Sequence, residues 1–275
     1  SVLTANTNVS LAMNAQIKVK RGGGTTAQQD QVAEHPIKYE EVSLYNPQNG
    51  FATFLIPAVL ILIIQQTLLL GVGMAAGTAR EHNKFRNLVP ITRHHRGLLR
   101  IVLSKGLAYF MVYIPLSVYI LGVIPHLFHL NQIGNPWDIA FFTLPFLIAS
   151  VLFSMTVSAF VRHREMCIML IVFTSVPLLF ISGLSWPGSA VPPAWKAISY
   201  IFPSTFGING FVAINNMGAP LGDVQHDWYM LWVQAAIYFI TTCTVYKASI
   251  TRSRQRIIEA WSKLRNKRMS NCKLK

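Results

Sequence analysis

Polar and apolar positions along this chain fall in long blocks rather than at the period of a helix or a strand. Phe51 to Gly77 runs 27 residues without a charged side chain, whereas a helix needs only about 20 apolar residues to cross a ~30 Å hydrocarbon core. Further apolar blocks cover 101–124, 139–161, 166–184 and 228–250, and each is predicted to be a membrane-spanning helix. Pro115 inside the second block predicts a kink, and Lys105 near its start is placed to extend its stem toward the headgroups.

Two segments break this pattern. Ser185 to Asp227 is too interrupted by Pro and Gly to span, yet too apolar for a water-exposed linker. Pro193 can open a short helix over 194–202 and Ser204 can cap another running towards Asn216, so two short helices at the outer membrane face are expected. Residues 1–50 are mixed and polar, with a loop at Gly22-Gly23-Gly24 and strand-like alternation near Ile37, Tyr39, Val42 and Leu44. The expected fold is an all-α polytopic membrane protein in three parts: a domain remainder at 1–50, a transmembrane domain at 51–250 and a basic tail at 251–275.

Charge orients these parts. The chain is 52% hydrophobic, 12% charged and carries a formal net charge of +14. Its basic residues are concentrated by segment, with seven in 78–105, Arg162 and Arg164 in the turn between the third and fourth spans, and ten after residue 246. Alternation of these segments with ones poor in Lys and Arg reads as membrane sidedness, the basic segments facing the cytoplasm. A basic face with interleaved aromatics on a soluble module is missing, so no nucleic-acid partner is expected. Five spans with a cytoplasmic C-terminus put residues 1–50 outside. Because the chain starts at Ser1 without a signal-peptide pattern, one earlier span is inferred, giving six in the complete protein.

The candidate chemistry is sparse. No span carries Asp or Glu away from its ends, which argues against a proton- or sodium-coupled carrier. Gln65 and Gln66, midway along the first span, are its most polar pair; each reads either as an interhelical hydrogen bond or as part of a translocation path. His94-His95 near His82 has no Cys, Asp or Glu at ligand spacing, and the basic surroundings repel a cation, so no metal is expected. Cys167, Cys243 and Cys272 occur singly. Tyr109 and Tyr113 read as helix packing, and Trp186, Trp195 and Trp228 as outer-interface anchors. Neither a nucleophile-and-base motif nor a phosphate-binding P-loop occurs, so any ATP-derived energy must come from a partner, although a membrane-bound enzyme stays open as an alternative.

Several motifs then combine. Tyr45-Asn46-Pro47 leads into the first span, Ala79-Arg80-Glu81 follows it, and Ile181-Ser182-Gly183-Leu184-Ser185-Trp186-Pro187 and Ile198-Ser199-Tyr200-Ile201-Phe202-Pro203 precede the last. From about residue 37 to residue 250 the chain resembles the membrane (permease) subunits of type-2 ABC exporters, in wording closest to those of the Bacteroides group. The resemblance implies a multi-pass protein of the bacterial inner membrane in which two permease subunits, identical or different, form one path. It also implies a separate ATP-binding cassette ATPase that holds ATP and Mg while this chain binds no cofactor, and a mixed α/β extracytoplasmic domain able to meet a periplasmic adaptor protein. Arg80, Glu81 and Phe85 match the family's ATPase-coupling segment, although His82-Asn83-Lys84-Phe85 departs from the family's Gly-Thr pair. Gly183, Trp186, Pro187, Phe202 and Pro203 fall in its outer-face gate region. Small amphipathic compounds and lipid-linked glycans both remain open as cargo.

Overall fold

The computed structural model describes residues 51–81, 96–130, 132–161, 163–182 and 192–273, with backbone alone at 51–54, 96–97, 250 and 252–273. All regular elements among these residues are helical. The domain remainder expected over 1–50, its alternating strand and the histidines at 82, 94 and 95 lie outside the described residues.

The helices are α1 (Phe51–Glu81), α2 (Arg96–Val118), α3 (Ile124–Leu127), α4 (Pro136–Ser158), α5 (Arg164–Ile181), α6 (Pro193–Ser199), α7 (Pro203–Met217) and α8 (Gln225–Lys273). Five spans are long and apolar enough to cross a membrane: Leu55–Glu81, Leu98–Leu127, Pro136–Ser158, Arg164–Ile181 and Gln225–Ser249. The expected kink region of the second span resolves into a π turn, Tyr119–Val123, four residues beyond Pro115 and between α2 and α3. The Leu121 carbonyl in that turn accepts the Gln132 side-chain amide at 2.9 Å. A wider turn leaves carbonyls without their helical donors, and Gln132 supplies one.

Cross-helix contacts fix the directions. Arg80 of α1 meets Val161 just past α4, and α7 residue Gly207 packs against both Ile61 of α1 and Phe146 of α4. Trp228 of α8 reaches the Phe141 carbonyl, and Thr156 meets Thr242 at 2.8 Å. So α1, α4 and α8 run the same way, with Arg80, Glu81 and Arg164 at one end, called here the charged end. The Asn135 side chain caps the other, far end of α4 by accepting the Trp137 N–H at 3.2 Å, with Pro136 at the first helical position.

Burial divides the bundle. Most of α1 and α4 is buried (61% and 67% of their spans), whereas only 11% of α5 is, which places α1 and α4 at the centre. Phe142, Phe146, Phe211, Ile61, Ile64, Ile208 and Ile214 form the main core, and Leu68, Val72, Val102, Val151 and Met155 a second one toward the charged end. Leu103, Leu107 and Met111 of α2 and Met169, Val172 and Phe173 of α5 are exposed, a surface suited to lipid. Trp137, Tyr229 and Trp232 are partly exposed around the far end, and Trp228 packs edge-on against Tyr229 and Trp232. Trp228 thus sits where an interface anchor is expected, whereas Trp195 stands on α6 next to the inserted bend and Trp186 lies outside the described residues.

The expectation of two short helices on the outer face needs correction. Helices α6 and α7 occur, but they form a pair bent by 91°, a broken span or re-entrant loop, and α7 is buried over most of its length. The bend at Tyr200–Phe202 lies beside Phe153, whose ring meets Phe202 at 5.6 Å and Tyr238 at 5.3 Å. Phe153 stands 17 residues into α4, about 25 Å along its axis. From this depth α7 climbs back to the far end, where Gly218, with φ of 68°, terminates it in a left-handed cap and the Asn215 carbonyl accepts the N–H groups of Ile133 and Gly134.

Two features make that insertion possible. Irregular backbone inside a bilayer must find protein partners. Gln234 donates to the Tyr200 carbonyl at 2.6 Å, Tyr238 donates to the Ile201 carbonyl, and Thr205 donates to the Ser199 carbonyl at 2.6 Å. The second feature is room: Gly207 and Gly210 present bare backbone to Phe146 and Phe142, both fully buried. Helix α8 continues unbroken to Lys273, 49 residues in all.

A Cβ at residue 210 would overlap the Phe142 ring. Gly210→Val is therefore expected to cost about 1–3 kcal/mol as overpacking, seen as a lower thermal midpoint in detergent. Combining it with Phe142→Ala should recover part of the loss, and a purely additive loss would contradict this packing.

Candidate functional site

The candidate residues belong to three levels of the bundle. At the charged end, α1 finishes in Arg80 and Glu81, and both grip the turn between α4 and α5. Arg80 donates a guanidinium N–H to the Val161 carbonyl. The Glu81 carboxylate accepts the backbone N–H of Arg164 at 2.9 Å, and it lies 3.8 Å from the Arg164 guanidinium and 3.9 Å from the His163 ring. Arg164 opens α5, so Glu81 satisfies a donor that the helix itself leaves open and places negative charge at the positive end of its dipole. Phe85, the third residue of the expected coupling segment, lies outside the described residues.

Small residues bring these groups together. A Cβ on Gly77 would stand 2.8 Å from the Arg164 nitrogen, and one on Gly73 would overlap the Cys167 sulfur. Gly73 and Gly77 are four apart, the spacing at which one face of a membrane helix admits a neighbour's backbone. Cys167, buried against this face, points its thiol at the Leu69 and Leu70 carbonyls at 3.5 and 3.8 Å. The Gly-x-x-x-Gly spacing in 73–77 was the available sequence signal for this seam. Nothing comparable marked Arg164 as the partner of Glu81.

Mid-bundle, Gln65 and Gln66 diverge as adjacent helical residues must. The Gln66 amide donates to Thr174 Oγ1 of α5 at 3.5 Å, the interhelical reading, with its carbonyl oxygen unpaired. Gln65 is fully buried, and neither polar atom has a hydrogen-bond partner. Ser150 and Ser154 of α4 also bury hydroxyls without partners. Buried polar atoms of this kind are rare because each forfeits its hydration, so this depth of the bundle is electrostatically unfinished.

The third level is the bend of α6 and α7, where Phe202 and Pro203 sit against Phe153 and beneath the partners Gln234 and Tyr238. Both residues therefore stand well inside the bundle. Gly183, Trp186 and Pro187, expected beside them, lie outside the described residues. The three levels do not converge on one pocket. No group of three His, Cys, Asp or Glu side chains able to hold a metal occurs among the described residues.

A family model described as "ABC-2 family transporter protein" matches residues 1–243. No curated protein and no solved structure matches the chain.

Replacing Gln65 by the similarly sized Leu removes two polar atoms that have no partner. Its thermal midpoint in detergent is expected to hold or rise, by the equivalent of up to about 2 kcal/mol. A clear drop would show that the amide is bonded in the folded protein.

Proposed function

Because the chain belongs to the ABC-2 family of transporter membrane proteins, we propose that it is an exporter permease subunit: it forms the translocation path and takes its energy from a separate ATP-binding cassette ATPase. The observation that carries the energetic part is the placement of carboxylates. In the described spans Glu81, Asp138, Glu165 and Asp227 all stand in a terminal turn. A bundle with no carboxylate near the midplane lacks the usual handle for coupling to protons or sodium. The sequence carries no P-loop of its own.

In this reading the basic loop between α1 and α2 receives the ATPase, with Arg80, Glu81 and Phe85 at its start. Closure of the ATPase dimer pushes that loop and rocks the attached spans between inward-open and outward-open states. The charged end and the basic tail face the cytoplasm of a bacterial inner membrane, by the positive-inside rule. Two such subunits, homo- or heteromeric, enclose the path, Gln65 and Gln66 supply its polar depth, and a periplasmic adaptor meets the extracytoplasmic part. The cargo is small amphipathic compounds, which suit an apolar bundle with few polar contacts.

The test is reconstitution of the chain with the ATPase that copurifies from its source membranes, followed by ATP-driven uptake of a fluorescent amphipathic dye into inverted vesicles. Dye accumulation is expected, falling at least about threefold in Gln65→Leu if that amide contacts cargo, the loss of roughly one hydrogen bond. Transport of a lipid-linked glycan with no movement of dye would replace the cargo assignment. Failure to capture any ATPase would remove the coupling itself.

A further inference from the structure

We infer that Glu81 is a positioning residue that fastens α1 to the α4–α5 turn, so that the charged ends of α1, α4 and α5 move as one body. The inference rests on the coupling reading above and refines it, since it turns the carboxylate inward in place of assigning it to the ATPase.

The geometry points this way on three counts. The first is direction: Glu81 is the most covered member of its cluster, with 23% of its side chain exposed against 58% for Arg164 and 72% for His163. A carboxylate waiting for a partner protein would be the outermost group, and here the Arg164 and His163 side chains are the more exposed. The second is complementarity. Neighbouring residues of one helix hold both sides of a single turn, Arg80 on the Val161 carbonyl and Glu81 on the Arg164 N–H. An anion at a helix N-terminus is the pairing that end prefers, and Arg80 holds the other side through a carbonyl just past α4. The third is closeness. With Gly77 against the Arg164 backbone and Gly73 against Cys167, the two helices meet over a full turn before the carboxylate engages. Such a contact has little slack, and displacement of the charged end of α1 is passed to the α4–α5 turn.

Amide exchange of the 161–167 peptide in the detergent-purified chain reads this cap directly. Glu81→Ala is expected to exchange about fivefold faster there, the size of one lost N-terminal cap, whereas Glu81→Gln, which keeps an oxygen acceptor, stays within about twofold. Equal exchange in wild type and Glu81→Ala overturns the inference. Should Glu81→Ala not fold, Glu81→Asp, one methylene too short to reach, reads the same way: faster exchange supports the brace and unchanged exchange overturns it. With the ATPase present, Glu81→Ala is expected to keep its partner but consume ATP without moving dye. Loss of the partner with exchange unchanged would assign the carboxylate to the docking surface and overturn the inference. A wild-type chain that captures no ATPase defeats the coupling reading, while the exchange measurement still decides the brace.

Discussion

Backbone that enters a bilayer without regular hydrogen bonds has no water to turn to, and this fold is arranged around meeting that demand at Tyr200–Phe202. Gln234 and Tyr238 of α8 supply the donors. Their presence lets α7 stand in the middle of the bundle against α1 and α4, where a lipid-exposed bend of the same sequence would be excluded. Without α7 the fully buried rings Phe142 and Phe146 would lose a shared neighbour. The polar side chains of α8 thus underwrite an apolar core that they do not belong to.

Between helices in lipid, burial of apolar surface gives no net drive, and close packing has to supply it. This chain does so with two glycine seams. Gly73 and Gly77 seat α5 on α1 at the charged end, and Gly207 and Gly210 seat α7 on the Phe142 and Phe146 rings. Membership of the ABC-2 family implies an ABC ATPase partner, and the first seam joins the start of the basic loop to the next turn along the same end. The chain's division of labour follows: one seam holds the inserted helix pair, the other holds the end that faces the charge.

Much of the architecture was legible in the sequence, because long uncharged blocks are a strong signal and basic turns bound them. The span expected at 139–161 begins three residues earlier, since Asn135 and Pro136 start the helix through the polar Trp137 and Asp138 that hydropathy excludes. The tail expected at 251–275 continues α8, there being no Gly or Pro after residue 246 to stop it. The re-entrant pair was not legible: its Pro and Gly residues interrupt hydropathy, and the donors that make it stable are on a helix that begins 22 residues after Pro203. At the site, adjacency of Gln65 and Gln66 foretold their divergence, and the pairing of Gln66 with Thr174 follows. The Arg164 partner of Glu81 stood 83 residues away with no local pattern to announce it.

The π turn at Tyr119–Val123 changes how the second span must be read. Its extra residue shifts the helical phase, so side chains before and after it no longer share a stripe. Below the turn α2 is mostly exposed; within it, consecutive Ile120 and Leu121 are both buried. The span is in effect two short rods with separately aimed faces, each with its own buried positions, Val102 and Ser117 before the turn and Ile120, Leu121 and Pro125 in and after it. A wheel drawn through the whole span would therefore assign residues beyond the turn to the wrong face.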